Sequence, residues 1–154
     1  MYKAIYLDMD GTIADLYSVD NWLGKLCSED ASPYLDAQPM FEAKRLNDII
    51  EGLARIGVEV GVISWASKNS SKAYEDAVRE AKTQWLAEHI PAIRNISVVA
   101  YGTDKFSVAA YDEDICLIDD DMIVRKSWEA NGCDAFYPSN VCEILEEIFF
   151  NSIF

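Results

Sequence analysis

The sequence predicts an α/β fold, with a mainly parallel sheet covered by helices on both faces, in a single domain over residues 1–154. Three observations carry this. Five short apolar runs that read as strands alternate with segments whose apolar residues recur at helical spacing. The polar residues that interrupt the pattern stand mainly where strands end, the edge at which open parallel sheets bind ligands. Finally, the stretch YLDMDGTIAD, residues 6–15, sets Asp8 and Asp10 one residue apart directly after the first strand. Like charges so close cost stability unless a metal ion or a proton lies between them.

Composition bounds the answer. A chain of 154 residues suits one domain and can bury about two-thirds of its unfolded surface. With 51% hydrophobic and 26% charged residues, it has the balance of a soluble globular protein. Its apolar runs are short and its N-terminus leads straight into a strand. Neither a membrane span nor a signal peptide is expected, and the expected location is cytoplasmic. A net charge of −14 argues against binding long nucleic acids, which needs clustered Lys and Arg. Cys27, Cys116, Cys133 and Cys142 form no CxxC pair, and the single His89 cannot complete a zinc site of ordinary spacing. Reduced, structural thiols are expected.

Taken in order, residues 3–8 form the first strand and end at the aspartate pair. Residues 16–41 follow where a strand–helix unit needs only a turn. They are too apolar for a disordered loop, and Ser32-Pro33 and Gln38-Pro39 break them after one helix, so they read as a small cap insert. A helix over 42–56 aligns Leu46, Ile50 and Leu53 and stops at Gly57. The strand VEVGVI (58–63) leads to Ser64. A helix over 70–88 aligns Tyr74, Ala77, Val78, Ala81 and Trp85, with Lys72 and Lys82 expected to face solvent and His89 to act as a helix-end cation. The strand at 96–101 is followed by Lys105, and the strand at 115–118 by Asp119, Asp120 and Asp121. After a last strand at 134–137, Asn140 and Glu143 suggest a capping box for a helix that buries Val141, Ile144, Leu145, Ile148 and Phe149.

Four strand ends thus direct polar groups at one place, and each group fits phosphoryl transfer from a phosphomonoester. One carboxylate, Asp8, attacks phosphorus in line and carries the phosphoryl group as an acyl phosphate. A second, Asp10, protonates the leaving alcohol and then deprotonates the hydrolytic water. Magnesium, held by oxygen ligands, would relieve the carboxylate repulsion, with Asp8, Asp10 and either Asp119 or Asp120 as its candidate site. Ser64 can donate to a phosphate oxygen, and Lys105 can neutralise another while pairing with Asp8. Part of the Asp119–Asp121 run is expected only to start a helix.

In these motifs the sequence resembles the haloacid dehalogenase superfamily of phosphohydrolases. DMDGT resembles its nucleophile motif, VISWAS the strand ending in Ser or Thr, TDKF the lysine motif and LIDDD the acidic motif. DxDGT alone arises by chance about once in several hundred chains of this length, and the other matches follow in order. The resemblance implies a Rossmann-like fold and a Mg2+-dependent phosphatase. Asp8 would be the nucleophile and Asp10 the acid/base, with metal bound by Asp8, the Asp10 backbone carbonyl and Asp119 or Asp120. AKTQWLAEHIP, VVAYGTDKF and ICLIDDD look more narrowly like the 5'(3')-deoxyribonucleotidase branch, whose small helical cap stands where residues 16–41 do. That similarity implies a nucleoside monophosphate as substrate, with Tyr17 and Trp22 stacking on its base and Thr12 and Trp65 also touching it. Tyr34 and Phe41 are further aromatics of the insert, where packing competes with stacking. A phosphatase for sugar phosphates or other metabolites, a non-catalytic phosphate-binding domain and a signalling receiver are the alternatives. A receiver would carry a lone aspartate after VEVGVI, where this chain has Ser64.

Overall fold

Parallel strands need long crossover connections, and most of the apolar runs here are joined by a helix. A computed structural model describes all residues, Met1–Phe154. In chain order its elements are β1 (Ala4–Leu7), β2 (Ala14–Asp15), α1 (Trp22–Cys27), α2 (Ser32–Asp36), β3 (Gln38–Pro39), α3 (Ala43–Arg55), β4 (Glu59–Trp65) and α4 (Lys72–His89). There follow β5 (Asn95–Val99), β6 (Ile115–Ile118), α5 (Met122–Ala130), β7 (Asp134–Phe136) and α6 (Val141–Ile153). Tight 3-10 turns cover Leu16–Ser18 and Lys105–Val108.

The main sheet has the order β5-β4-β1-β6-β7, with every pair parallel. β1 lies at its centre, with Leu7 in register with Val62 of β4 on one side and Ile118 of β6 on the other. The chain winds outward from β1 through β4 to β5, then returns to the opposite side of β1. This reversal opens a crevice at the C-terminal end of β1, where Asp8 and Asp10 stand.

Side chains alternate across a strand, and β1 shows the consequence. Ile5 and Leu7 pack with Leu46, Ile50 and Leu53 of α3, Trp85 of α4, and Val141, Leu145 and Ile148 of α6. Ala4 and Tyr6 face the other side, against Val124 and Trp128 of α5. The expected stripes of α3, α4 and α6 therefore meet the sheet, with adjustments at their margins. Ala77 is exposed, Ile144 and Phe149 are half-buried, and Cys142 joins the buried face of α6. The α3 helix starts on Glu42, whose side chain accepts from the Lys44 and Arg45 amides. It stops before Gly57, whose φ of 85° only glycine adopts readily. No helix is long and apolar enough to cross a membrane. Cys116, Cys133 and Cys142 are buried and Cys27 is exposed, all as free thiols.

The insert departs from the single helix expected. It contains two short helices, because Glu29 turns left-handed (φ 57°) after α1 and Pro33 in the first turn of α2 suits a new start. Its two ends pair antiparallel as β2 and β3. One flank is tied to α4. The Glu29 carboxylate accepts from the Ser71 amide and hydroxyl at 3.1 and 2.6 Å, and the Tyr74 hydroxyl donates to the Asp30 carbonyl at 2.9 Å.

Trp85 joins the insert's exit to the sheet. It is fully buried, its indole N–H donates to the Ala37 carbonyl at 2.7 Å, and Phe41 meets it edge-on at 6.3 Å. Trp85→Ala is expected to destabilise the protein by about 3–5 kcal/mol in urea denaturation, through the cavity and the orphaned carbonyl. A loss below about 1 kcal/mol would show that the surroundings collapse to fill the gap.

Candidate active site

The chain leaves β1 through Asp8, whose amide donates to the Ile118 carbonyl, and then curls so that the Met9 carbonyl accepts from the amides of Thr12, Ile13 and Ala14. Gly11 makes this curl, at φ 80°. A Cβ there would stand 2.4 Å from Asp120 Oδ2 and 2.9 Å from Tyr17 Cε2. The backbone conformation thus calls for glycine, and any side chain there would also displace Asp120.

Asp8 is the buried hub. Its Oδ1 accepts from Lys105 Nζ at 2.7 Å and its Oδ2 from Thr12 Oγ1 at 3.2 Å. Lys105, 4% exposed, also donates to Asp119 Oδ2 at 2.7 Å and lies 5.2 Å from the Trp65 ring centre. The 3-10 turn that delivers Lys105 starts at Asp104, whose carboxylate accepts from the Phe106 amide. Asp119 uses its other oxygen to accept from the Asp121 amide at 2.8 Å. Asp121 caps α5, accepting from the Ile123 and Val124 amides. Arg125 clamps the same loop by donating to the Asp119 and Asp120 carbonyls, each at 2.8 Å. The Asp120 amide donates to Thr12 Oγ1 at 3.2 Å. Carboxylate oxygens of Asp8, Asp119 and Asp120 lie within 4.8 Å of one another, a hard-oxygen set that suits a divalent cation.

Asp10 faces a second buried ammonium. Lys82 Nζ donates to Asp10 Oδ2 at 2.7 Å, to Ser64 Oγ at 2.7 Å and to the Trp65 carbonyl at 2.8 Å, while the Tyr34 ring centre lies 4.8 Å away. Sequence reading expected Lys82 in solvent, but its exposure is 0%. A signal was present. Lys82 falls four residues after Val78 and three before Trp85, inside the apolar stripe of α4, where a charge needs a partner.

A cavity of about 480 Å³ opens above these groups. Asp8, Asp10, Lys105, Asp119 and Asp120 line it from the core, together with Trp65 and Tyr101, while Tyr17, Trp22, Leu23 and Tyr34 line it from the insert. Tyr17 and Trp22 meet edge-to-face at 5.0 Å, and Tyr17 is 52% exposed at the mouth. Tyr34 is instead buried against Tyr74, Val78 and Ala81, with its hydroxyl on Ser67. Two expected contact residues lie one layer deeper. Thr12 and Ser64 do not line the cavity, because the hydroxyl of Thr12 bridges Asp8 and the Asp120 amide and that of Ser64 accepts from Lys82. Phe41 packs on Trp85, and His89 ends α4 tilted against the same ring at 4.5 Å, both away from the cavity.

The crowding of carboxylates sets their protonation. Burial raises Asp10 above the usual carboxylate range, and Asp8 adds to this while Lys82 opposes it. Burial and the Asp8 charge raise Asp119 to about 6, against the pull of Lys105. Burial, Asp8 and Asp119 raise Asp120 to about 7. Burial works against the charge of Lys105, but Asp8 and Asp119 outweigh it and hold that ammonium's pKa above its ordinary value.

No protein-family model and no curated protein matches the chain. Solved structures do share its fold. A hydrolase from Streptococcus pneumoniae TIGR4 superposes with a TM-score of 0.56 at 15% identity, over 96% of this chain and 98% of that one. An uncharacterized protein from Corynebacterium glutamicum ATCC 13032 Kitasato gives 0.56 at 14% identity, over 99% and 96%. The D,D-heptose 1,7-bisphosphate phosphatase from Burkholderia thailandensis gives 0.61 at 12% identity, over 94% and 97%. The chain therefore shares the α/β fold of these solved structures, with the parallel sheet and flanking helices expected from the sequence.

The raised carboxylates make stability depend on pH. A group whose folded pKa lies above its unfolded value stabilises the fold when protonated, and this contribution fades as pH rises through the folded pKa. Without divalent metal, the urea midpoint should fall between roughly pH 4 and pH 7, from the ordinary carboxylate range to the raised values of Asp119 and Asp120. Asp120→Asn should flatten that fall. Asp30 and Asp76, whose pKa values are lowered by hydrogen bonds from Ser32 and from Lys72, lose their contribution only in stronger acid and stay outside this window. A midpoint that rose across the window in both proteins would contradict the assignment.

Proposed function

We propose that the chain is a phosphohydrolase that cleaves a small phosphomonoester through a phosphoaspartate on Asp8. The observation that carries this reading is the pairing of Asp8 with Lys105 at the cavity floor, with Asp10 held separately on Lys82. Lys105 fixes Asp8 by donating to its Oδ1 and leaves its Oδ2 on Thr12, a geometry that suits an attacking carboxylate. Burial raises the Asp10 pKa above the usual carboxylate range, which favours the protonated form that a proton donor needs.

In the first step an Asp8 oxygen attacks phosphorus, the ester P–O bond breaks, and Asp10 delivers its proton to the departing alcohol oxygen. In the second, Asp10 takes a proton from water as the water oxygen attacks phosphorus. The bond from phosphorus to Asp8 then breaks and inorganic phosphate leaves. Lys105 offsets the charge on the phosphoryl oxygens in both steps. Asp8 and Asp120, with the Asp10 backbone carbonyl, would hold Mg2+. Asp119, with its two oxygens on Lys105 and the Asp121 amide, is better suited to orienting the lysine. Bound there, the cation supplies Lewis-acid compensation of phosphate charge. Thr12 supports Asp8 and the Asp120 loop from below, and Ser64 supports Lys82.

For the leaving group we propose a nucleoside monophosphate. Tyr17 and Trp22 from the insert, and Trp65 and Tyr101 opposite, give the cavity aromatic walls that suit a base. A sugar phosphate is the second reading, favoured by the fold shared with a heptose bisphosphate phosphatase. The four free thiols suit a cytoplasmic setting.

Phosphate release from a panel of nucleotides, sugar phosphates and aryl phosphates, with Mg2+ or with EDTA, tests the reaction and its substrate together. Chelation is expected to abolish turnover. Asp8→Asn should lower kcat below about one thousandth of the parent while leaving the melting temperature within a few degrees, since shape is kept and the attacking charge is lost. Full activity in EDTA, or in Asp8→Asn, would overturn the mechanism.

Trp22→Ala and Tyr17→Ala are expected to raise KM for the preferred nucleotide about 5- to 150-fold while barely changing hydrolysis of a small aryl phosphate. Equal losses on both substrates would assign these rings to packing of the insert. A preference for sugar phosphates over every nucleotide would replace the substrate assignment and keep the reaction.

A further inference from the structure

Lys82 is a fully buried lysine on α4, outside the four motifs that carry the proposed phosphoryl-transfer chemistry, and it is not among the residues lining the cavity. Leaving an ammonium there is costly unless each donor finds an acceptor. Its acceptors are Asp10 Oδ2, Ser64 Oγ and the Trp65 carbonyl, at 2.7, 2.7 and 2.8 Å, so all of its hydrogens are used. The ring of Tyr34 closes the remaining side at 4.8 Å. Tyr34 belongs to the insert, and its hydroxyl meets Ser67 just after β4. Solvent is thereby kept from the ammonium by the same element that covers the substrate.

This geometry has a directional result. Asp10 has two carboxyl oxygens. Lys82 takes Oδ2, and Asp10 lines the cavity. Ser64 and the Trp65 carbonyl fix the ammonium from β4, so Asp10 cannot turn without breaking a buried, charge-assisted hydrogen bond. We propose that Lys82 is a positioning residue that holds Asp10 with Oδ1 toward the leaving-group oxygen. The proposal rests on the phosphohydrolase reading for its kinetic consequence, and on the Lys82–Asp10 contact alone for its structural one.

Two measurements test it, on the full chain with Lys82→Met, which keeps the apolar stem, and with Lys82→Arg. The first is kcat/KM over a series of aryl phosphates graded in leaving-group pKa. A misdirected acid matters most where the departing oxygen needs a proton. Lys82→Met is therefore expected to lose about 100-fold or more on phenyl phosphate and only a few-fold on 2,4-dinitrophenyl phosphate, in kcat more than in KM, within the range of general-acid contributions. Lys82→Arg should recover part of the loss. Equal losses across the series, or none, would overturn the positioning role. A purely structural lysine would move the melting temperature without this leaving-group slope.

The second measurement is the crystal structure of Lys82→Met, which needs no turnover. Asp10 is expected to rotate away from the Ser64 side, and an Asp10 carboxyl left in its parental orientation would overturn the proposal. Should Lys82→Met fail to fold, Lys82→Gln keeps a neutral amide donor for the site and carries both comparisons. Absence of hydrolysis of every ester by the parent protein would remove the phosphohydrolase reading, while the orientation of Asp10 in the variant would still decide whether Lys82 positions it.

Discussion

The site depends on two buried ammonium groups that keep mutually repelling carboxylates in one crevice. Lys105 spans Asp8 and Asp119, and Lys82 holds Asp10. Without them, the low-dielectric floor of the cavity would push every carboxyl group toward its neutral form. With them, Asp8 and Asp10 face different partners although they lie one residue apart. Two chemically identical side chains are thereby placed in different environments, the structural condition for different roles. A chain with a net charge of −14 spends two of its few cations at this depth, which a structural core alone does not call for.

The supporting layer follows from that constraint. Thr12 links Asp8 to the loop that carries Asp120, Arg125 clamps that loop from α5, and Gly11 lets the first loop pass close to Asp120. On the opposite side, Ser64 and the Trp65 carbonyl seat Lys82 at the end of β4. The ends of β1 and β6 therefore carry both the cavity-lining carboxylates and groups that orient them, while the end of β4 seats the lysine that holds Asp10. Such reciprocal support keeps carboxylates within hydrogen-bond reach of their partners.

The insert is built asymmetrically. Its flank beside α4 is anchored through Glu29, Asp30 and Tyr34, and Tyr34 also roofs Lys82. Its other flank carries Tyr17 and Leu23, both largely exposed at the cavity mouth. Fixed and open sides of one small element thus serve different ends. The anchored side covers the buried charge, and the open side leaves aromatic and apolar surface at the cavity mouth.

Much of this was legible in the sequence because it is local. The alternation of strands with striped helices, the stop at Gly57 and the cap at Asn140 depend on neighbours a few residues away, and they reappear in the structure. The grouping of Asp8, Asp10, Lys105, Asp119 and Asp120 was legible too, since parallel topology sends the ends of successive strands to one edge. Depth was not. Thr12 and Ser64 read as surface groups of the site but lie beneath it, the insert folds as two helices, and Lys82 changes from a solvent lysine to a buried support. How far a side chain is buried depends on what the rest of the chain places opposite it. For Lys82 that meant Asp10 from β1, Ser64 from β4 and Tyr34 from the insert, groups separated in sequence by 72, 18 and 48 residues, which only the tertiary structure brings to one nitrogen.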